Sequence, residues 1–419
     1  MNRLDLPSFG LRVRHMPGPP LVSFRARLRG GVLNEKEPGL ALLTGRMLAE
    51  GTRRRDWRQI VIEAENYGMY LQSFTSGESI GVSIDALAAD ADLALEWMAE
   101  ILTEPTFPQE RFEWLRKQAT AELESLLDQP NYRTGRAFSR QLYGEHPYGR
   151  ALHGSPEALA ARTSEECLAY HRQTLAWGGV IVVTGAIDEE KILARLEQRF
   201  RGIMPEPEPR PLAPPPDSQE PKEQELTCGE ADQAQVFSGH LTVERRSPDL
   251  PALDLLGVVL GAGAAGNSGR LPTRIREQEG LAYAVDVATS AGAGHGPGHL
   301  MVYCGTSPDK AKHAGRAIGE ELEKLLQDGV GEDELEEARS YLLGSDALRR
   351  ETLRQWSDLL ATSVLFGLKT EDPAWVAERY RSLTKEDIEA AARRHLRPRD
   401  LRLTIGWPEK AKRPRRPAK

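Results

Sequence analysis

Eight prolines fall within seventeen residues, Pro205 to Pro221, and no other stretch of this 419-residue chain limits its fold so directly. Proline has a fixed φ and no amide hydrogen to donate, so this run is predicted to be an extended, semi-rigid connector rather than helix or sheet. It divides the chain into near-equal halves: an N-terminal domain 1–204, a linker 205–222 and a C-terminal domain 223–409, followed by a tail 410–419. The halves also end alike. Thr163, Glu165 and Glu166 open a helix and the β-branched run VIVVTG follows, ending at Gly185; Thr384, Glu386 and Asp387 open another, followed by LRLTIG ending at Gly406. Both intervals span 22 residues. TFPQERFEWLRKQATAEL, from Thr106, resembles DGVGEDELEEARSYLLGS, from Asp328, at about the same offset in each half. The chain is an internal duplication whose period is too long for a solenoid.

Within a half, strand and helix periodicities alternate. LVSFRARL (Leu21 to Leu28) and SIGVSIDAL (Ser79 to Leu87) have the β-propensity and partial alternation of half-buried strands, whereas GLALLTGRMLAE, WRQIVIEAENYG and ADLALEWMAEIL carry helical spacing. Without strict βαβ repetition, this mixture predicts an α+β fold: in each domain an antiparallel-rich sheet with helices on one face.

Composition narrows the functional classes. Forty per cent hydrophobic and 28% charged residues describe a globular chain, and no apolar run approaches the ~18 residues of a membrane span. A net charge of -7 with interspersed signs provides no basic field for nucleic acid. Cys167, Cys228 and Cys304 are odd in number and far apart, which fits reduced thiols better than a disulfide framework or a cysteine zinc cluster. No apolar signal core follows the first residues, so the expected location is cytoplasmic. The tail KAKRPRRPAK has six basic residues and reads as a solvated terminus.

Four segments, in order, carry a family resemblance. GGVLNEKEPGLALLTGRMLAEGT (Gly30 to Thr52) keeps the G-L-A and M-L-x-x-G-T frame in which the pitrilysin/insulinase family of zinc peptidases, family M16, holds its inverted H-x-x-E-H motif. TFPQERFEWLRKQATAELES resembles the helix of the family's third ligand, a glutamate about 76 residues beyond the second histidine, which places Glu122 there. LYGEHPYGRALHGS (Leu142 to Ser155) has the H-P-Y-G signature, and SGRLPTRIREQEGLAYAV (Ser268 to Val285) resembles the second-half motif. The resemblance implies two homologous domains per chain forming half of a clamshell around a peptide chamber. It also implies that Arg276 and Tyr283, seven residues apart, bind the substrate backbone and polarise the scissile carbonyl.

At the motif itself the residues are Leu42, Leu43, Thr44, Gly45 and Arg46. A catalytic zinc needs three protein ligands, an open position for water and a carboxylate base. Leu42 cannot ligate, Gly45 provides no base, and Arg46 sets a permanent cation where neutral imidazole should bind. Two unit charges about 4 Å apart repel by roughly 4 kcal/mol at an intermediate dielectric, so the chain is expected to bind no cofactor of its own. Of the family's metal and base groups only Glu122 is left, and an Arg46–Glu122 ion pair is one expectation for it; two unpaired surface residues are the other.

Other candidates are weaker. His295 and His299 in HGPGH are separated by two glycines and a proline, which suits a glycine-rich hairpin rather than helical i, i+4 ligation. His146 reads as a structural residue near a turn, while His171, His240 and His395 stand alone. Cys167 or Cys304 as a nucleophile would need a base that no motif identifies. GAGAAGNSG (Gly261 to Gly269) lacks the Lys-Ser/Thr ending of a phosphate loop. The resemblance therefore implies a non-catalytic subunit. It would supply Arg276 and Tyr283 to an unfolded or extended peptide held at the zinc of a homologous H-x-x-E-H partner of similar length. The alternative is an inert structural or peptide-binding scaffold of the same fold, as a homodimer.

Overall fold

A computed structural model describes residues 1–207, 215, 222–230, 232–263 and 268–409. Most of the predicted linker, the tail 410–419 and residues 264–267 of the glycine-rich run lie outside the described residues. The strands are β1 (Asn2–Asp5), β2 (Phe9–His15), β3 (Leu21–Arg29), β4 (Tyr70–Thr75), β5 (Ser79–Leu87), β6 (Gly179–Gly185), β7 (Lys222–Thr227), β8 (Ala234–Glu244), β9 (Ala282–Ala291), β10 (Pro297–Thr306) and β11 (Arg402–Trp407). First-half helices are α1 (Leu40–Met47), α2 (Trp57–Asn66), α3 (Ala91–Thr103), α4 (Gln109–Leu127), α5 (Pro130–Tyr143), α6 (Pro156–Ala160), α7 (Ser164–Trp177) and α8 (Glu189–Phe200). Second-half helices are α9 (Leu250–Leu260), α10 (Arg270–Pro272, running into a π-helical turn Thr273–Gln278), α11 (Ala311–Asp328), α12 (Glu332–Leu348), α13 (Leu353–Phe366), α14 (Pro373–Arg381) and α15 (Lys385–His395).

The sheets repeat the duplication strand for strand. One has the order β1-β2-β6-β3-β5-β4 and the other β7-β11-β8-β10-β9. With β1 set aside, the orders match, each with one parallel pair (β2 with β6, β7 with β11) and antiparallel pairs elsewhere. The repeated threonines cap equivalent helices: Thr163 forms a capping box with Glu166 on α7, and Thr384 forms one with Asp387 on α15.

The compact units do not follow the linear halves. One comprises Met1–Leu123, Arg150–Pro211 and Ala347–Asp372; the other comprises Glu124–Gly149, Leu212–Asp346 and Pro373–Lys419. The exchanged segments hold α5 and α13, which occupy the same place in the two repeats. In the first unit α13 packs on β3 and β6, and in the second α5 packs on β8 and β11. Each sheet is thus covered on its second face as well, which corrects the expectation of helices on one face only.

The reason for that misreading is visible along β3. Val22, Phe24, Ala26 and Leu28 are all buried and form the apolar face. Ser23, Arg25 and Arg27 alternate with them and read as a solvated face, yet α13 covers that face and Arg25 is only 2% exposed. Asp358 of α13 accepts from Arg25 Nε at 3.0 Å and from Arg27 Nη2 at 3.3 Å, and Asp85 of β5 accepts from Arg25 Nη1 at 2.9 Å. Beside them the Thr184 and Ser357 hydroxyls hydrogen-bond at 2.6 Å. A buried guanidinium stripped of an acceptor is costly, so Asp358→Ala should lower stability by about 1–3 kcal/mol in a denaturant titration. A change within about 0.5 kcal/mol would mean that apolar contacts alone hold α13.

Candidate functional site

Helix α1 is short and, except for Arg46, all of its residues are buried. Its N-cap, Gly39, is left-handed at φ 84° and offers no side chain to the free amides. Glu35 supplies the acceptor instead: its carboxylate, 3% exposed as a residue, takes the backbone N–H of Ala41 at 2.8 Å and of Gly39 at 3.3 Å. Burial pushes this carboxyl up to about 7, against those two amides and the Arg150 and Arg162 guanidinium groups, which pull it down.

The five motif positions do not present a metal site. Leu42 and Leu43 are buried. Thr44 turns its hydroxyl back to Leu40 O at 2.7 Å. At Gly45 there is no room for the missing glutamate: a Cβ there would lie 2.0 Å from Thr75 Oγ1 and 3.1 Å from Phe74 O, because edge strand β4 lies against α1. Arg46 Nη2 reaches Glu122 Oε2 on α4 at 2.5 Å, so the ion pair exists. The hydrogen bond and charge of Arg46, helped by His153, hold the Glu122 carboxyl below its usual range despite partial burial. Zinc does not fit this donor set, since a guanidinium has no lone pair and repels a second cation.

Two participants escaped the sequence reading. His153, after α5, brings Nε2 to 3.4 Å from Glu122 Oε1 with a side chain 10% exposed. It stands inside the quoted LYGEHPYGRALHGS segment, but only the fold carries it to a helix 31 positions away. Glu35 was equally silent, because it caps from outside the usual cap offset.

In the second unit, Arg276 sits on the π-helical turn and Tyr283 on β9. Their side chains meet, with the guanidinium carbon 5.4 Å from the ring centroid, and Tyr283 is 81% exposed. The link between them is tied down. Leu281 N–H donates to Ile275 O at 2.7 Å, Thr306 Oγ1 donates to Leu281 O, and Lys310 Nζ donates to Gly280 O at 2.8 Å. Among the described residues strand β9 is one of the two edge strands of its sheet.

The remaining candidates are structural. HGPGH forms the turn and start of the β9–β10 hairpin, and the H-P-Y-G segment clamps it. Tyr148 Oη accepts from Gly296 N at 2.7 Å, Tyr143 Oη donates to Pro297 O at 3.0 Å, and Tyr143 Oη lies 3.0 Å from His299 Nδ1. His146 lies over the rings of Tyr143 and Tyr148. Burial drives His171 and His240 down to about 4, so each is neutral at pH 7. His395 pairs with Asp249 at 2.7 Å. Burial pushes the Cys167 and Cys304 thiols up to about 12, which leaves no nucleophilic thiolate. Among the described residues no three His, Cys, Asp or Glu side chains are grouped to hold a metal, and no helix is long and apolar enough to cross a membrane.

Known proteins match this geometry and sequence. Residues 30–155 match the model for insulinase (peptidase family M16), and residues 179–342 match the model for the peptidase M16 inactive domain. An uncharacterized zinc protease of Mycobacterium leprae is 28% identical over 413 residues, 96% of this chain and 91% of that protein. The non-peptidase homolog YmxG of Helicobacter pylori is 24% identical, over 90% of this chain and 86% of its own length. The crystal structure of a peptidase M16 inactive domain from Pseudomonas fluorescens superposes with a TM-score of 0.89 at 23% identity, covering 99% of both chains.

The Glu35 carboxyl generates a test. Its folded-state affinity for a proton exceeds that of the unfolded chain, so its contribution to stability is full below about pH 4.5 and is lost as pH rises toward 7. Glu35→Gln should flatten the stability–pH curve between those limits, by up to roughly 3 kcal/mol across the window. An unchanged slope would mean that the carboxyl titrates normally.

Proposed function

The chain belongs to peptidase family M16, the insulinase family, and from that premise we propose that it is a non-catalytic subunit of a two-chain zinc peptidase. It binds no zinc. In this reading the metal belongs to a homologous H-x-x-E-H partner, and this chain contributes Arg276 and Tyr283 to an extended peptide held at the partner's zinc.

One observation carries the proposal: Arg46 is paired with Glu122 at 2.5 Å, so a built-in cation neutralises the one carboxylate left from the zinc machinery. Gly45, packed against Thr75, supports it, because neither the general base nor space for one remains. The second-half pair supports the division of labour. An arginine fork and a phenol suit a peptide carbonyl and the oxyanion formed from it, and an edge strand offers unpaired amides and carbonyls to an extended chain. A tyrosine 81% exposed on that edge is apolar area available to such a ligand.

A second reading keeps the fold and drops the chemistry: an inert M16 scaffold, homodimeric, that binds peptides or serves as a structural element. The Helicobacter pylori relative named a non-peptidase homolog favours it.

Co-purification and a peptide-cleavage assay separate the two. The chain alone should hydrolyse nothing, with or without added zinc, and adding the H-x-x-E-H partner should restore cleavage. In that complex Arg276→Ala should reduce turnover by roughly a hundredfold and Tyr283→Phe by about tenfold. Unchanged turnover in both variants of a verified complex would reject the complementation role. A stable homodimer that binds peptides but never a peptidase would favour the scaffold, and chelator-sensitive hydrolysis by the chain alone would reject both.

A further inference from the structure

We infer that the exposed side of α2 is a two-fold contact between copies of this chain, in which two α2 helices lie antiparallel. The inference concerns the first unit only and does not depend on any role for Arg276 or Tyr283.

The order of residues along one side of the helix carries it. Buried Ile60 and Ala64 mark the side of α2 that faces the core, so Arg58, Val61, Ile62 and Glu65 are neighbours on the other side, at the i, i+3, i+4, i+7 spacing of a single stripe. All four are exposed, Ile62 by 56%. A helix side that meets only water should be polar, yet the middle of this stripe is two β-branched apolar residues. Its ends are charged in an unfavourable order. Arg58 stands in the first turn, which has no acidic residue, and Glu65 in the last, which has no basic one, so each charge opposes the dipole of its own helix. Among the described residues neither forms an ion pair; Arg58 lies over the Trp57 ring, 4.8 Å from its centroid.

A second copy of the stripe supplies what the first lacks. The midpoint of the stripe falls between Val61 and Ile62. A two-fold axis through that point reverses the second helix, so Arg58 of each copy meets Glu65 of the other while the aliphatic side chains meet at the axis. The same reversal sets the positive end of each helix beside the negative end of its mate. Two helical turns are small beside the roughly 800 Å² that each partner buries in a standard interface, and the neighbouring surface extends them. Val61 lies one turn from Trp57, and the Arg111 guanidinium of α4 lies between the rings of Trp57 and Trp114, 4.2 and 4.4 Å from their centroids. Glu50 holds that guanidinium at 2.6 Å, and Trp114 is itself exposed. The stripe therefore continues into an aromatic shelf whose own cation is already neutralised. A contact of this size fits a dimer that dissociates at micromolar concentrations.

The test is sedimentation velocity on the full chain from about 1 to 100 μM. Rising concentration should convert monomer to dimer, and Ile62→Asp should leave monomer throughout. Arg58→Glu and Glu65→Arg should each weaken the dimer by about tenfold or more, because the two-fold repeats every like-charge contact. Both changes also agree with the helix dipole, so the loss does not come from unwinding α2. Arg58→Glu combined with Glu65→Arg should restore dimerisation to within about threefold of the unaltered chain, and an equimolar mixture of the two single variants should form heterodimers. Any of three results overturns the inference: a chain that stays monomeric across the range, a dimer that Ile62→Asp or the single charge reversals leave intact, or a double variant no better than the single ones.

Discussion

A β-sheet must bury its apolar face, and in each unit the opposite face is closed as well, by a helix drawn from the other half of the chain. On the first sheet α13 brings Asp358 to Arg25 and Arg27, and Ser357 to Thr184, so a row of polar residues is buried with its partners supplied. On the second sheet α5 brings Phe138 to within 5.7 Å of Phe237, ring centre to ring centre, and the cover is aromatic. The two repeats solve the same packing requirement with different chemistry. Neither half contains its complete unit, which ties the folding of each unit to synthesis of both halves.

The two repeats differ at their equivalent edge strands. In the first unit edge strand β4 lies against α1 and fills the space beside Gly45. In the second unit the equivalent edge strand, β9, leaves Tyr283 exposed beside Arg276. One edge strand packs its Thr75 against a helix, and the other carries a tyrosine that is exposed. On the same side of the first unit, Arg46, Glu122 and His153 form a contiguous group in which the carboxylate is held ionised by its neighbours.

Much of this was legible along the chain because its signals are local. The threonine capping boxes at Thr163 and Thr384, the strand runs at Leu21 and Ser79, and the turn in HGPGH each follow from residues within a few positions of one another. The loss of the zinc motif was equally local, since an aliphatic, a glycine and an arginine cannot ligate in any fold. What could not be read depends on partners far away in sequence. Arg25 and Ser23 read as a wet face because Asp358 lies 333 positions beyond Arg25. Glu35 gave no sign of capping a helix, and His153 gave no sign of facing Glu122.

The sequence by itself determined the duplication, the alternation of helix and strand, and the absence of a metal-binding constellation on α1, because side-chain chemistry and hydrogen-bonding capacity do not depend on where the chain goes next. Only the tertiary structure decided which helix covers which sheet, that Arg46 pairs with Glu122, and that His153 joins them. Those contacts join segments tens to hundreds of residues apart, and their energies arise from burial and charge proximity that exist only once the chain has packed.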